Sequence, residues 1–88
     1  MTSRTVTIGS KVGLHARPAS LFAQAVASCG ITVMLTDSTD KTVNAGSILS
    51  VLSLGIEFGD SVTLTSDDEG AEHALESLAQ LLASELDN

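Results

Sequence analysis

Gly13-Leu14-His15-Ala16-Arg17-Pro18 is the stretch on which the fold turns. Upstream of it, Thr5-Val6-Thr7-Ile8 alternates, with Val6 and Ile8 on one face, which is the period of a strand. Downstream, Leu21, Phe22, Ala25, Val26 and Cys29 form one stripe of a helix running from Ala16 to about Ser28, stopped by Gly30. A strand therefore ends and a helix begins around these residues. Gly13 gives the backbone freedom for a tight turn, and Pro18 suits a first helical turn, where N–H groups have no internal acceptor. His15 falls at or near the N-cap. Free N–H groups and the helix dipole at such an end attract an anion. The same positive end disfavours imidazolium, so His15 is expected to be neutral and nucleophilic near pH 7. A neutral imidazole, a guanidinium at Arg17 and the backbone N–H groups of Ala16 and Arg17 make a place to attach a phosphoryl group.

The 88 residues predict one domain over 1–88. Apolar content of 43% supports a small core, and with two phenylalanines as the only aromatics, aliphatic side chains must fill most of it. A net charge of −7 argues against nucleic acid and anionic membrane surfaces. No apolar run approaches the roughly 20 residues of a membrane-spanning helix. The start of the chain enters a strand pattern with no signal-peptide core. The lone Cys29 makes no internal disulfide, which suits a reducing cytoplasm.

Further along, Ile31 to Thr36 reads as a second strand with Ile31, Val33 and Leu35 inward, Asp37 to Asp40 as a turn, and Lys41 to Asn44 as a third strand. Ser47 to Leu54 reads as a short helix ended by Gly55. Its Val51 and Leu54 share one side, and Ile48, Leu49 and Leu52 another. One side can pack on a sheet; the other is either core or an uncovered docking surface. Ser61 to Thr65 is the fourth strand. Asp67, Asp68 and Glu69 favour the start of a last helix, from about Ala71 to Leu86. The order is βαββαβα. Each strand has one apolar face, so the helices are expected on one side of an open-faced α+β sandwich.

Gly13 to Ala19, Lys41-Thr42-Val43-Asn44 and Ser47 to Gly55 together resemble HPr, the histidine-containing phosphocarrier family of the bacterial sugar phosphotransferase system. The resemblance spans nearly the whole chain and implies a four-stranded antiparallel sheet. It also implies that His15 takes a phosphoryl group on Nδ1 from enzyme I and gives it to enzyme IIA domains, and that Arg17 pairs with the phosphoryl oxygens. Ser47 reads locally as an N-cap hydroxyl; the resemblance adds phosphorylation by an HPr kinase. By the same resemblance Ile48, Leu49 and Leu52 meet enzyme I beside the histidine. The chain departs from many members: Gly46 stands where several have lysine, one extra residue precedes Lys41, and Gln24, Ser28 and Ser50 replace basic residues. Charge attraction to enzyme I is accordingly expected to be weaker.

His73, among Glu72 and Glu76, reads as solvated, and Cys29 as a small hydrophobe closing the first helix's stripe. His15, Cys29 and His73 have no metal-ligand spacing, and neither a metal nor another cofactor is expected. The expectation is a cytoplasmic, monomeric phosphocarrier rather than a free-standing enzyme. A regulatory HPr-like module that reports phosphorylation state without serving sugar transport is the alternative. A small transferase using His15 is a weaker rival, because no second catalytic group accompanies it.

Overall fold

The computed structural model describes residues 2–84 except 10, 12 and 15. Strand β1 (Thr2–Thr7), helix α1 (Ala16–Cys29), strands β2 (Met34–Thr36) and β3 (Thr42–Asn44), helix α2 (Ile48–Ser53), strand β4 (Ser61–Ser66) and helix α3 (Ala71–Ala83) follow in that order. The four strands form one antiparallel sheet in the order β1-β4-β2-β3. Val6 lies opposite Val62, and Leu35 lies between Leu64 and Val43, so the register gathers the apolar face. Helix α3 packs over β1 and β4, α2 against β3, and α1 against both other helices. Phe22, Val26, Val51, Leu75, Leu78 and Leu82 bury themselves with Val33, Leu35, Val62 and Leu64. The other face of the sheet carries hydroxyls, including the facing pairs Thr5–Thr63 (3.3 Å) and Thr36–Thr42 (2.9 Å).

The element order is as expected, with shifts that have local causes. β1 begins at Thr2, because its ladder with β4 extends through Thr2 opposite Ser66; Ile8 is buried just beyond its end. β2 is confined to Met34–Thr36, yet Val33 stays buried and its carbonyl accepts the Ala45 N–H (2.9 Å). Cys29 is exposed rather than closing an apolar stripe, which ends at Val26. α3 ends at Ala83, where Ser84 turns extended; Leu86 lies outside the described residues. Its N-cap is Gly70 in a left-handed conformation, with no side-chain cap. Asp68 instead accepts the Thr32 N–H at 2.6 Å and so ties the chain before β2 to the end of β4.

The β2–β3 hairpin is organised by Asp37. Its Oδ1 accepts from the Thr39 hydroxyl (2.8 Å), the Thr39 N–H (2.9 Å) and the Lys41 N–H (3.0 Å). The Thr39 hydroxyl above all, with the Lys41 and Thr39 amides, holds this carboxyl below the usual carboxylate range. A lowered folded value means that the contribution is present above the unfolded value and fades as pH falls through the folded one. Asp37→Asn should therefore melt below wild type at pH 7, and the gap should close below about pH 4. A gap independent of pH in melting curves would refute a role for the charge.

Candidate functional site

Helix α1 begins at Ala16, directly after the motif histidine; His15 itself lies outside the described residues. What is described is the frame on either side. Before it, Leu14 is 1% exposed and anchors the loop in the core. After it, Pro18 and Ala19 are buried and seat the first turn of α1. That turn contains no acidic residue. Arg17 is exposed and makes no hydrogen bond or ion pair among the described residues, so its guanidinium is uncommitted. The N–H groups of the first turn, Ala16 and Arg17 among them, have no acceptor inside the helix. The arrangement suits an anion next to the start of α1.

The loop from β1 to α1 is bonded at both ends to the segment 56–60. Ile8 N–H donates to the Asp60 carbonyl (2.9 Å), Gly59 N–H donates to the Ile8 carbonyl (3.0 Å), and Leu14 N–H donates to the Ile56 carbonyl (2.9 Å). Gly9 also lies against the end of α3: its N–H donates to the Leu82 carbonyl (2.9 Å), and a Cβ there would overlap the Ala83 carbonyl.

Ser47 is the N-cap of α2, extended at φ −105°, with its hydroxyl accepting the Ser50 N–H at 3.4 Å. Asn44 Oδ1 accepts the Gly46 N–H (2.8 Å) and turns the chain into this cap. Of the three residues read as a docking face, Leu49 is 77% and Ile48 37% exposed, whereas Leu52 is half-buried against the core. Val51 on the opposite side is fully buried, and Leu54 is half-buried. An open groove of about 240 Å3 runs between α1 and α2, lined by Ser20, Ala23, Gln24, Ala27, Gly46 and Ile48.

Two exposed apolar residues escaped the sequence reading. Leu21, assigned above to the buried stripe, is 40% exposed, one turn after Arg17 on the same helix face. The spacing Arg17, Leu21, Gln24, Ser28 could have placed it on a polar face. Phe58 is 60% exposed at the tip of the 57–60 turn. Gln24 and Ser28 make local bonds, Gln24 Nε2 to the Ser20 hydroxyl (3.2 Å) and the Ser28 hydroxyl to the Gln24 carbonyl (3.0 Å). His73 is exposed on α3. Among the described residues no group of acidic, histidine or cysteine side chains could hold a metal ion. No helix among them is long and apolar enough to cross a membrane.

A family model for the PTS HPr component phosphorylation site matches residues 2–84. The phosphocarrier protein HPr of Streptomyces coelicolor is 47% identical over 87 residues, covering 99% of this chain and 94% of that protein. The HPr-like protein Crh of Bacillus subtilis is 38% identical, over 98% of this chain and all of that protein. Among solved structures, an HPr from Thermoanaerobacter tengcongensis superposes with a TM-score of 0.90 at 35% identity, covering 100% of this chain and 98% of that one. With a fold, a length and a motif in common with these proteins, the chain belongs to the HPr family, the phosphocarriers of the phosphotransferase system.

Proposed function

We propose that this chain takes a phosphoryl group from enzyme I on Nδ1 of His15 and passes it to enzyme IIA domains for sugar uptake. The observation that carries the proposal is the start of α1 at Ala16, with an exposed, uncommitted Arg17 and no acidic residue in the first turn. In this reading the imidazole lone pair forms the P–N bond as the bond from phosphorus to the donor breaks. The N–H groups of Ala16 and Arg17 and the Arg17 guanidinium receive the phosphoryl oxygens. The P–N bond is energetic, and protonating the nitrogen makes it a good leaving group, which suits a relay. The partners supply the remainder of each site, and the chain acts as a stoichiometric carrier, not as an enzyme. The test is incubation with enzyme I and labelled phosphoenolpyruvate, mapping of the modified residue, and chase of the label through enzyme IIA to sugar.

Arg17→Ala should slow transfer in both directions by about tenfold or more, since a hydrogen bond to a charged group contributes about 1.5–3 kcal/mol. Unchanged rates at saturating and sub-saturating partner would make Arg17 only a solvated charge. Ile48 and Leu49, with Leu52 at their inner edge, are proposed to dock enzyme I and enzyme IIA. Ser47 is proposed first as the α2 cap and second as an acceptor for an HPr kinase/phosphorylase.

The similarity to Crh favours one further reading, a regulatory module that binds partners according to phosphorylation state. Label that reaches His15 but never a sugar would support it over transport. We place the carrier in the cytoplasm as a single domain over 1–88. We also propose that it works as a monomer, because Arg17, Ser47, Ile48 and Leu49 all lie on two adjacent helices of one chain. A dimer, as in a solved HPr of T. tengcongensis, found by sedimentation at micromolar concentration would overturn the monomer.

A further inference from the structure

We infer that Asp60 is a positioning residue for His15, acting through the Ile56–Glu57 peptide and Leu14. The inference rests on His15 being the phosphoryl acceptor. The Ile56–Glu57 peptide is bonded on both edges: its carbonyl accepts the Leu14 N–H (2.9 Å), and its N–H donates to Asp60 Oδ2 (2.9 Å). A peptide unit is planar and rigid, so fixing one edge orients the other. The carboxylate therefore sets the direction of the carbonyl that holds the residue before His15. Polarisation along the chain from carboxylate to peptide to Leu14 strengthens both bonds.

Gly13 lies directly on the same peptide. At φ +71° it stands where a Cβ would come within 2.5 Å of the Ile56 carbonyl oxygen and 2.7 Å of Glu57 Cα. Gly13 thus meets this support with no side chain of its own between them. The support is itself a closed turn: Asp60 N–H donates to the Glu57 carbonyl (3.0 Å), and Gly59 takes φ +86° at the third position, as a type II turn requires. Asp60 thus grips Glu57 twice, with its side chain and its backbone, and its carbonyl receives Ile8 at the other end of the loop.

Packing does not hold this turn. Ile56 is buried at its start, but Glu57, Phe58 and Gly59 are exposed. Without the carboxylate, the Glu57 N–H would turn to water, and the peptide plane would be held only by the Leu14 bond on its other edge and by the backbone bonds of the turn. The buried Leu14 side chain would keep the loop attached, so the change is one of backbone orientation. The proposed docking residues Ile48 and Leu49 lie on α2 rather than on this turn, so partner affinity should persist. The expected signature is a fall in turnover without a rise in KM.

The experiment measures enzyme I turnover with this chain as acceptor, together with amide hydrogen exchange. Asp60→Ala should lower kcat about tenfold with KM within about twofold. Asp60→Asn, whose amide oxygen can accept the Glu57 N–H, should keep at least about half of the wild-type kcat. Leu14 amide exchange should speed in Asp60→Ala relative to that of Leu64 in the core of β4, which separates local release from global destabilisation. Wild-type kcat in Asp60→Ala, an equal loss in Asp60→Asn, a change confined to KM, or exchange rising equally at Leu14 and Leu64 would each overturn the inference. A wild-type chain that takes no label would bring down the acceptor reading and this inference together, whereas label on wild type with an unaffected Asp60→Ala removes this inference alone.

Discussion

His15→Ala should accept no label from enzyme I and phosphoenolpyruvate while melting close to wild type. The loss should be complete because no other group can substitute. His73, the only other histidine, is exposed on the first turn of α3 beside Glu72, with Glu76 one turn on. Those carboxylates repel an incoming anion. A His73→Ala control should label fully. The folding arm follows from the frame: among the described residues around the motif, Gly13, Leu14, Pro18 and Ala19 are buried, and the substitution leaves all four in place. In the wild-type protein the label should be lost in acid and kept in base, because protonating a phosphoramidate nitrogen releases the phosphoryl group. A phosphoserine at Ser47 would show the opposite stability. Full labelling of His15→Ala, or a base-labile label on wild type, would remove His15 from the proposal.

The reach of the sequence can be followed residue by residue. Along Ser61 to Thr65 alternation puts Val62 and Leu64 on one face, and from Ala71 onward i,i+3 and i,i+4 spacing aligns Leu75, Leu78 and Leu82; both patterns are local information, and each of these residues is buried. Ser47 was legible as a cap because capping involves residues three apart. Leu21 was misplaced for a physical reason: a stripe at 21, 22, 25, 26 and 29 is wider than α1 can bury, and only tertiary packing selects Phe22 and Val26 over Leu21 and Cys29. Asp68 was read as a charge near a helix start, but its partner is Thr32, 36 positions away in sequence. The support beneath the motif is of the same kind. Nothing within a few residues of Gly13 announces that it rests on Ile56 and Glu57, or that Asp60 closes their turn. Periodicity finds faces and motifs find chemistry, whereas the bonds that hold a functional loop are long-range and appear only in the fold.

Helix α2 offers the sharpest separation of stability from binding, because residues two positions apart have opposite surroundings. Val51 is fully buried in the core, and Leu49 is 77% exposed. Val51→Glu should unfold the protein. An unpaired carboxylate in an apolar interior costs several kcal/mol even after relaxation, a large part of the roughly 5–15 kcal/mol that stabilises a typical domain. Leu49→Glu should leave the melting temperature almost unchanged, since exposed substitutions stay within about 0.5 kcal/mol. It should weaken enzyme I binding by about tenfold or more, because burying a leucine contributes roughly 1.5–3 kcal/mol. Leu52→Glu should do both in part, since its side chain is half-buried against the core. The weight of the docking face therefore falls on Leu49 and Ile48. Contact should be mainly apolar, because Gln24, Ser28 and Ser50 provide no positive charge at the face. Raising salt from 50 to 500 mM should accordingly change wild-type affinity much less than Leu49→Glu does. If Leu49→Glu melts as Val51→Glu does, Leu49 is core. If it binds enzyme I as wild type does, apolar docking by α2 is wrong.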